Sequence, residues 1–443
     1  MKRPGLLRSW PRPGSVAGDV AVLMSWGALA QGLNVLFMPL LTRIYDPGQF
    51  GLFAVFTNAA VLLGVVAAMR YEFAVVLPPA DRDAALVVWI ATETAVVFAA
   101  AIVVALMVAG SGAAGWRIWA GIGPWRFELP VAVLLVATGS TQAYWAIRRR
   151  RFSRLGLSKF VMAICTGAVQ LGSAWMVGAR TGGLIAGLVA GQLAGTVFLA
   201  WGNGVPLRWA ARWGETLALA RRYSHFPRYA ALGSGLDGIS RLIPVAVLTT
   251  TFGPVIAGQF ALADRALRAP SILLGSSLSQ VFFHRLSERR ADAAECRRML
   301  RGTWKRLAMY GSVPMLGAML AGPWAFAMVF GSRWYAAGQA ARALAPGVFA
   351  YFVAYPTSNV LVVFERLGLL LIWEAAYVGL VAAIFLLGPA SGRLSPLEVL
   401  WTFSGALVVL HGTNLFLQWQ VVGQGLSMND AGGKIIESTS VLS

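Results

Sequence analysis

Apolar stretches of about twenty residues recur along the whole chain, and nothing else in the sequence limits the fold as strongly. Twelve are read, at about 17–41, 50–70, 84–110, 128–147, 156–178, 183–202, 229–252, 255–282, 306–330, 343–364, 368–388 and 397–422. A helix of that length crosses the hydrocarbon core of a bilayer. Only 12% of the 443 residues are charged and the mean hydropathy is +0.67. A soluble domain carries about 25% charged residues. The composition therefore implies an all-α polytopic membrane protein with no room for a large soluble domain.

A net charge of +19 would suit a nucleic-acid binder. The placement of the charge argues against one. Of the 37 Lys and Arg, the N-terminus, the even-numbered loops and the tail hold 27, the odd-numbered loops hold 7, and three lie inside stretches. The positive-inside rule then puts both termini in the cytoplasm, and the alternation supports the count of twelve. The excess charge is a topology signal, with a minor role in holding anionic lipid headgroups of the bilayer. Cys165 and Cys296 do not pair, and no metal-ligand spacing is present. The first stretch is too long for a cleaved signal peptide and is expected to stay as a span. The Gly/Ser-rich tail, 423–443, is expected to be disordered and cytoplasmic.

The two halves look like copies. At an offset of 207 residues, Leu41, Thr42, Pro47, Gly51, Phe53 and Ala54 match Leu248, Thr249, Pro254, Gly258, Phe260 and Ala261. Pro and Gly there suit a tight turn between two helices. Six spans is an even number, so the halves share an orientation, a common transporter plan with the substrate site between them. The expected domains are two six-helix lobes at 1–202 and 229–422, joined by a cytoplasmic linker at 203–228.

Charge inside the stretches is the exception that points to function. Asp237, Arg241, Asp264, Arg265 and Arg268 fall in the seventh and eighth. Arg241 and Arg265 align with Asn34 and Asn58 of the first half, so the second half is charged where the first is neutral. Both arginines lie twelve residues from Gly253, about 18 Å along a helix and near mid-bilayer. Asp237 and Arg241 are four apart, as are Asp264 and Arg268, so each pair can neutralise itself on one helix face. One reading is a structural salt bridge that pins helices. The other is a cationic patch on a water-filled cavity, because Arg265 has no acidic residue three or four positions away. Guanidinium forks suit phosphate or carboxylate oxygens.

Other buried polar residues are coupling or gating candidates. Glu93 and Glu374 lie within spans and either take protons or close interhelical hydrogen bonds. Arg70 and Glu72 end the second stretch, as a gate or as an interfacial anchor pair. His411 reads as a satisfied buried histidine. No Walker A sequence or dinucleotide fingerprint occurs, and Asp81-Arg82-Asp83 reads as a helix start rather than a metal site. No catalytic residue, metal or cofactor is expected, beyond coupling to H+ or Na+.

Several segments resemble Wzx-type polysaccharide (O-antigen) flippases, of the multidrug/oligosaccharidyl-lipid/polysaccharide exporter superfamily. They are L-T-R-I-Y-D-P-G-Q-F-G-L-F-A (41–54), R-Y-E-F-A-V-V-L-P (70–78), Q-A-Y-W-A-I-R-R-R-R-F (142–152), Y-S-H-F-P-R-Y (223–229), G-Q-F-A-L-A-D-R-A-L-R-A-P (258–270) with G-S-S-L-S-Q-V-F-F (275–283), and F-G-S-R-W-Y-A-A-G (330–338). The resemblance runs in order from about residue 15 to 420. It implies a two-lobed fold of twelve helices in the bacterial inner membrane. It implies a flippase moving an undecaprenyl-diphosphate-linked oligosaccharide to the periplasmic leaflet, for O-antigen, capsule or exopolysaccharide. It also implies a cation-lined cavity and coupling to an ion gradient in some members. Polysaccharide polymerase and other assembly proteins are the implied partners. Arg265 falls on the arginine of the family-like A-D-R-A-L segment; the resemblance assigns no role to Asp237, Arg241 and Arg268, which rest on the physical argument alone. The rivals are a drug or cation antiporter of the same fold, which wants an acidic cavity; a membrane-embedded glycosyltransferase or ligase, which needs catalytic groups in an outer loop; and a non-transporting scaffold.

Overall fold

The computed structural model of the protein describes residues 16–108, 122–204, 213–289, 292–390 and 394–440, and these form helices joined by short turns, without strands. Eleven helices among the described residues are long and apolar enough to cross a membrane. The helix Pro254–Glu288, 35 residues long and carrying Asp264, Arg265 and Arg268, is not among those eleven. With it the count meets the twelve stretches of the sequence.

The chain divides into two compact units, Met1–Leu242 and Ile243–Ser443. The first holds α1 (Val16–Ile44), α2 (Pro47–Ala67), α3 (Asp81–Val108), α4 (Leu129–Arg148), α5 (Phe152–Val177), α6 (Thr181–Asn203), α7 (Trp213–Arg222) and the start of α8 (Ala231–Phe252). Here α4 packs against α2, α3 and α6, and α5 packs against α1 and α6. The α5–α6 crossing is close because α6 presents small residues: a Cβ on Gly187 would meet the Thr166 carbonyl at 2.8 Å, and one on Gly191 the Met162 carbonyl at 2.8 Å. Close backbone approach of this kind is how helices gain packing where lipid removes the hydrophobic drive.

This unit extends past residue 202, where the sequence closes the first lobe, to Leu242. The reason is local. The N-terminal half of α8 lies on α2, with Gly238 against Leu62 and Gly235 against Val66. The described part of the expected linker is ordered as well. Helix α7 packs on α3, Arg82 pairs with Glu215 at 2.7 Å, and the Tyr71 hydroxyl donates to the Ala220 carbonyl at 3.2 Å. Residues 205–212 of that linker lie outside the described residues.

The second unit holds the rest of α8, α9 (Pro254–Glu288), α10 (Ala293–Phe330), α11 (Tyr335–Ala354), α12 (Leu367–Ala382) and α13 (Pro396–Ser440). Helix α11 packs against α9, α10 and α13. By position in the repeat these correspond to α2, α3 and α6, so α11 takes the place that α4 has in the first unit. Gly338 makes the α10–α11 crossing: a Cβ there would press on Gly322 and Pro323, so no side chain fits. Helix α13 continues as helix to Ser440.

The backbone repeat extends beyond the stretch in which the sequence repeats. Pro47 and Pro254, 207 residues apart, each open a helix. The turn after α4 has Arg150 at φ 54°, and Arg151 N–H donates to the Ala146 carbonyl at 2.8 Å. In the second unit Glu365 has φ 59°, and Arg366 N–H donates to the Leu361 carbonyl at 2.8 Å, an offset of 215 residues throughout. This is one helix-ending motif built twice, with a non-glycine residue in the left-handed position each time.

Candidate functional site

In the second unit, α9 carries the charges. The Arg268 guanidinium donates to the Asp264 carboxylate at 2.6 Å, one turn apart on the same helix. The pair therefore closes within α9. Arg268 also lies over the Tyr351 ring, 4.9 Å from its centroid. A cation over a ring face gains electrostatic attraction and loses less on leaving water. Tyr351 stacks on Tyr355 and meets His411 edge-on at 5.5 Å, and His411 lies 5.6 Å from Trp373, which stacks on Tyr377. The Trp373 indole donates to the Leu410 carbonyl at 3.3 Å. His411 is buried, while Tyr351, Trp373 and Tyr377 are half-buried and Tyr355 is exposed. Four helices thus converge on a cation, a histidine and four aromatic rings. Glu374, half-buried on α12, follows Trp373 in the chain.

Arg265 differs from its neighbours. Its side chain is exposed, twelve residues into α9, and no ion pair or hydrogen bond engages it among the described residues. A bare guanidinium at that depth against lipid costs about 3 kcal/mol or more, so water or an anion must reach it.

In the first unit, Arg241 pairs with Asp237 at 3.2 Å within α8, and both side chains are more than 60% exposed. An exposed pair contributes little to stability, so both groups stay open to exchange partners. Asn34 is half-buried on α1, Asn58 donates to the Ala54 carbonyl of its own helix at 2.8 Å, and Glu93 is half-buried on α3. Arg241 and Arg265 belong to different units.

Arg70 and Glu72 form a more developed device than an interfacial anchor. Met69 and Arg70 have φ of 51° and 58°, two successive left-handed residues that end α2. The turn aims Arg70 so that its Nη1 donates to Glu72 at 3.1 Å, its Nε donates to the Ser234 hydroxyl of α8 at 2.8 Å, and its guanidinium covers the Phe73 ring at 4.6 Å. Glu72 is fully buried, and its second carboxylate oxygen has no partner among the described residues. Burial pushes the Glu72 carboxyl above its ordinary range, against the weaker opposing pull of its own backbone hydrogen bond and of Arg70. The folded protein then holds the Glu72 proton at pH values where the unfolded chain, with a carboxyl near 4.3, has lost it. Stability from this group is complete below that value and falls as pH rises through the raised one. Glu72→Gln keeps the shape and removes the titration. Melting in detergent across pH should show a flatter slope for the variant; an unchanged slope would remove Glu72 as its source.

Asp81 is engaged by arginines: Arg148 reaches it at 2.9 Å and Arg149 at 3.1 Å. No group of three or more His, Cys, Asp or Glu among the described residues has metal-binding geometry. The sequence reading missed the aromatic setting of His411 and the Ser234 partner of Arg70. One signal was available: Tyr351/Tyr355 and Trp373/Tyr377 each have the i, i+4 spacing that puts two rings on one helix face.

A family model described as polysaccharide biosynthesis protein matches residues 40–339. No curated protein matches. Among solved structures, the inward-facing conformation of a multidrug resistance MATE family transporter of the MOP superfamily is similar, with 13% identity, a TM-score of 0.67, and cover of 92% of this chain and 98% of that one. Its outward-facing counterpart gives 14% identity and a TM-score of 0.56 over 93% and 96% of the two chains. A MOP superfamily transporter from Pyrococcus furiosus gives 11% identity and a TM-score of 0.57 over 92% and 96%. At these identities the likeness is one of fold, and the fold is that of a MOP transporter. The matched span, 300 of 443 residues, covers more than half of the chain, and this multi-pass membrane protein therefore belongs to the polysaccharide biosynthesis protein family.

Proposed function

We propose that the protein is a flippase. It carries an undecaprenyl-diphosphate-linked oligosaccharide from the cytoplasmic to the periplasmic leaflet of a bacterial inner membrane, for O-antigen, capsule or exopolysaccharide synthesis. The observation that carries this reading is Arg265, an exposed cation without a carboxylate partner among the described residues, deep in a helix of a transporter fold. A diphosphate crossing a membrane needs its charge offset where water is scarce. Arg265 does this in the second unit, helped by Arg268 when the cargo displaces Asp264, and Arg241 does so in the first. Asn34 and Asn58 donate to the cargo without adding charge. Tyr351, Tyr355, Trp373 and Tyr377 offer ring faces to the sugars. Access to the cargo alternates between the two sides of the membrane. Asp237, Asp264, Glu93 and Glu374 are the groups for H+ or Na+ coupling, and Arg70 with Glu72 holds the cytoplasmic end of α8. The protein moves its cargo without making or breaking covalent bonds and works beside a polysaccharide polymerase.

The same-fold rival, a drug antiporter, draws on the multidrug transporters of similar fold. The surplus of cations over carboxylates on α9 disfavours it. For the Pyrococcus furiosus protein, a binding pocket of reverse polarity has itself suggested a different function. Deletion of the gene, with mass spectrometry of extracted lipids, tests the proposal. Accumulated complete lipid-linked repeat units with loss of surface polymer are expected. Intact polymer without accumulation, together with a new sensitivity to cationic dyes, would establish the antiporter instead.

A further inference from the structure

Helix α10 carries Arg297, Arg301 and Lys305 in four-residue steps, and no acidic residue lies three or four positions from any of them. Like charges at that spacing repel and destabilise a helix. The second unit nevertheless gathers two of them on one ring. Arg297 and Arg301 both lie over Trp419 of α13, 5.0 and 5.2 Å from its centroid. Trp304 holds that ring in place, 6.2 Å away between centroids, and its own indole donates to the Thr357 hydroxyl at 3.0 Å. Helix α13 also leaves a gap for Arg297, since a Cβ on Gly423 would strike its guanidinium. The Arg297 Nε is buried without an acceptor, and neither arginine has an ion pair or hydrogen bond among the described residues. Glu295, close by in the chain, pairs instead with Arg298 at 3.0 Å and Arg289 at 3.8 Å.

We infer that Arg297, Arg301 and Lys305, set beside Trp419, form a binding site for the phosphate of a membrane lipid. The inference stands without the flippase reading. An anion among the three cations removes their repulsion, and guanidinium forks suit phosphate oxygens. Depth points to a lipid. Counted back from the Gly331 turn, Lys305, Arg301 and Arg297 lie 26, 30 and 34 residues along the chain, or about 39, 45 and 51 Å along a helix. A bilayer with its headgroups measures about 40–45 Å. A helix that starts at one surface therefore brings these cations to the headgroup layer of the other. On the orientation that the charge alternation implies, that layer is the cytoplasmic one. The next step of the row is Met309, followed by Val313, and both are exposed, as are Leu316 and Leu320 further in. Four residues turn about 40° round a helix, so the flank with Arg301 and Lys305 runs on into this apolar face. A lipid has the same order, with its phosphate at the surface and its chains below.

The full-length protein and its Arg297→Gln/Arg301→Gln variant, purified in detergent, would be titrated with phosphatidylglycerol, undecaprenyl phosphate and diacylglycerol by native mass spectrometry. Inorganic phosphate would be titrated by calorimetry. The variant should lose at least about tenfold in affinity for the two lipid phosphates, the worth of one hydrogen bond to a charged group, and keep its binding of diacylglycerol. Added phosphatidylglycerol should raise the melting temperature of the wild type more than that of the variant. The two lipids distinguish the source: tighter binding of undecaprenyl phosphate marks the carried lipid, tighter binding of phosphatidylglycerol a resident phospholipid, and either supports the site. Equal affinity of both proteins for both lipid phosphates would overturn the inference. So would an equal loss of diacylglycerol, or inorganic phosphate bound as tightly as lipid, which would make this a site for a soluble anion. Arg301 is exposed, so Arg301→Gln alone decides if the double variant does not fold: weaker binding of the lipid phosphates supports the site, and wild-type binding refutes it.

Discussion

Arg265→Ala should abolish export while leaving the protein folded and in the membrane. The guanidinium is exposed and makes no ion pair or hydrogen bond among the described residues, so the fold loses no interaction when it goes. The cargo loses much more. A hydrogen bond to a charged group is worth about 1.5–3 kcal/mol, and each one lost weakens binding by roughly 10- to 150-fold. A fork facing a diphosphate makes two. Arg265→Lys keeps the charge and loses the fork, so it should fall between the two. The measurements are surface polysaccharide and lipid-linked repeat units in a complemented deletion strain, with the amount and melting temperature of each variant as controls. Wild-type export by Arg265→Ala would end the role of this residue and leave Arg241 and Arg268 to be tested alone.

The second large effect is on stability. Arg148 closes α4, and its side chain is only 12% exposed. It donates twice to Asp81, at 3.0 and 2.9 Å, and to the Pro78 carbonyl at 2.6 Å, with longer bonds to the Val75 and Pro79 carbonyls. One guanidinium thus ties α4 to the start of α3 and to the segment that follows Glu72. Asp81 is 60% exposed and recovers water when the arginine leaves, whereas the carbonyls recover less. Arg148→Ala should therefore cost roughly 2–4 kcal/mol, below the full penalty of splitting a buried pair. Arg148→Lys should recover only part, since an ammonium cannot reach carboxylate and carbonyls together. Thermal unfolding in detergent would rank the three proteins as wild type, Lys, Ala. An alanine variant that melts with the wild type would show that the segment is held by packing alone.

The internal repeat shows where the sequence could be read and where it could not. The Pro47/Pro254 turns are visible as matched residues because a tight turn demands particular side chains. The turns at Arg150 and Glu365 have the same backbone but share few residues besides Arg151 and Arg366, since their hydrogen bonds are made by N–H and carbonyl groups that every residue carries. The pairs Asp237–Arg241 and Asp264–Arg268 were legible for a similar reason. Their spacing along one helix fixes the contact before any tertiary fold exists.

The sequence by itself determined the class: helices of bilayer length, a charge alternation, a doubled plan, and an arginine in α9 without an acidic partner at helical spacing. These depend on composition and on distances along one chain, which helix geometry converts directly into position. The tertiary structure alone decided what surrounds His411, which hydroxyl holds Arg70, and that the first compact unit runs on into α8. It also decided that α9 and α10 leave an apolar groove between them. Those features join residues tens to more than a hundred positions apart, and their meeting depends on how small residues such as Gly338 and Gly238 let helices approach. Spacing along the chain carries no record of that approach, because it is set by the side chains of two helices at once.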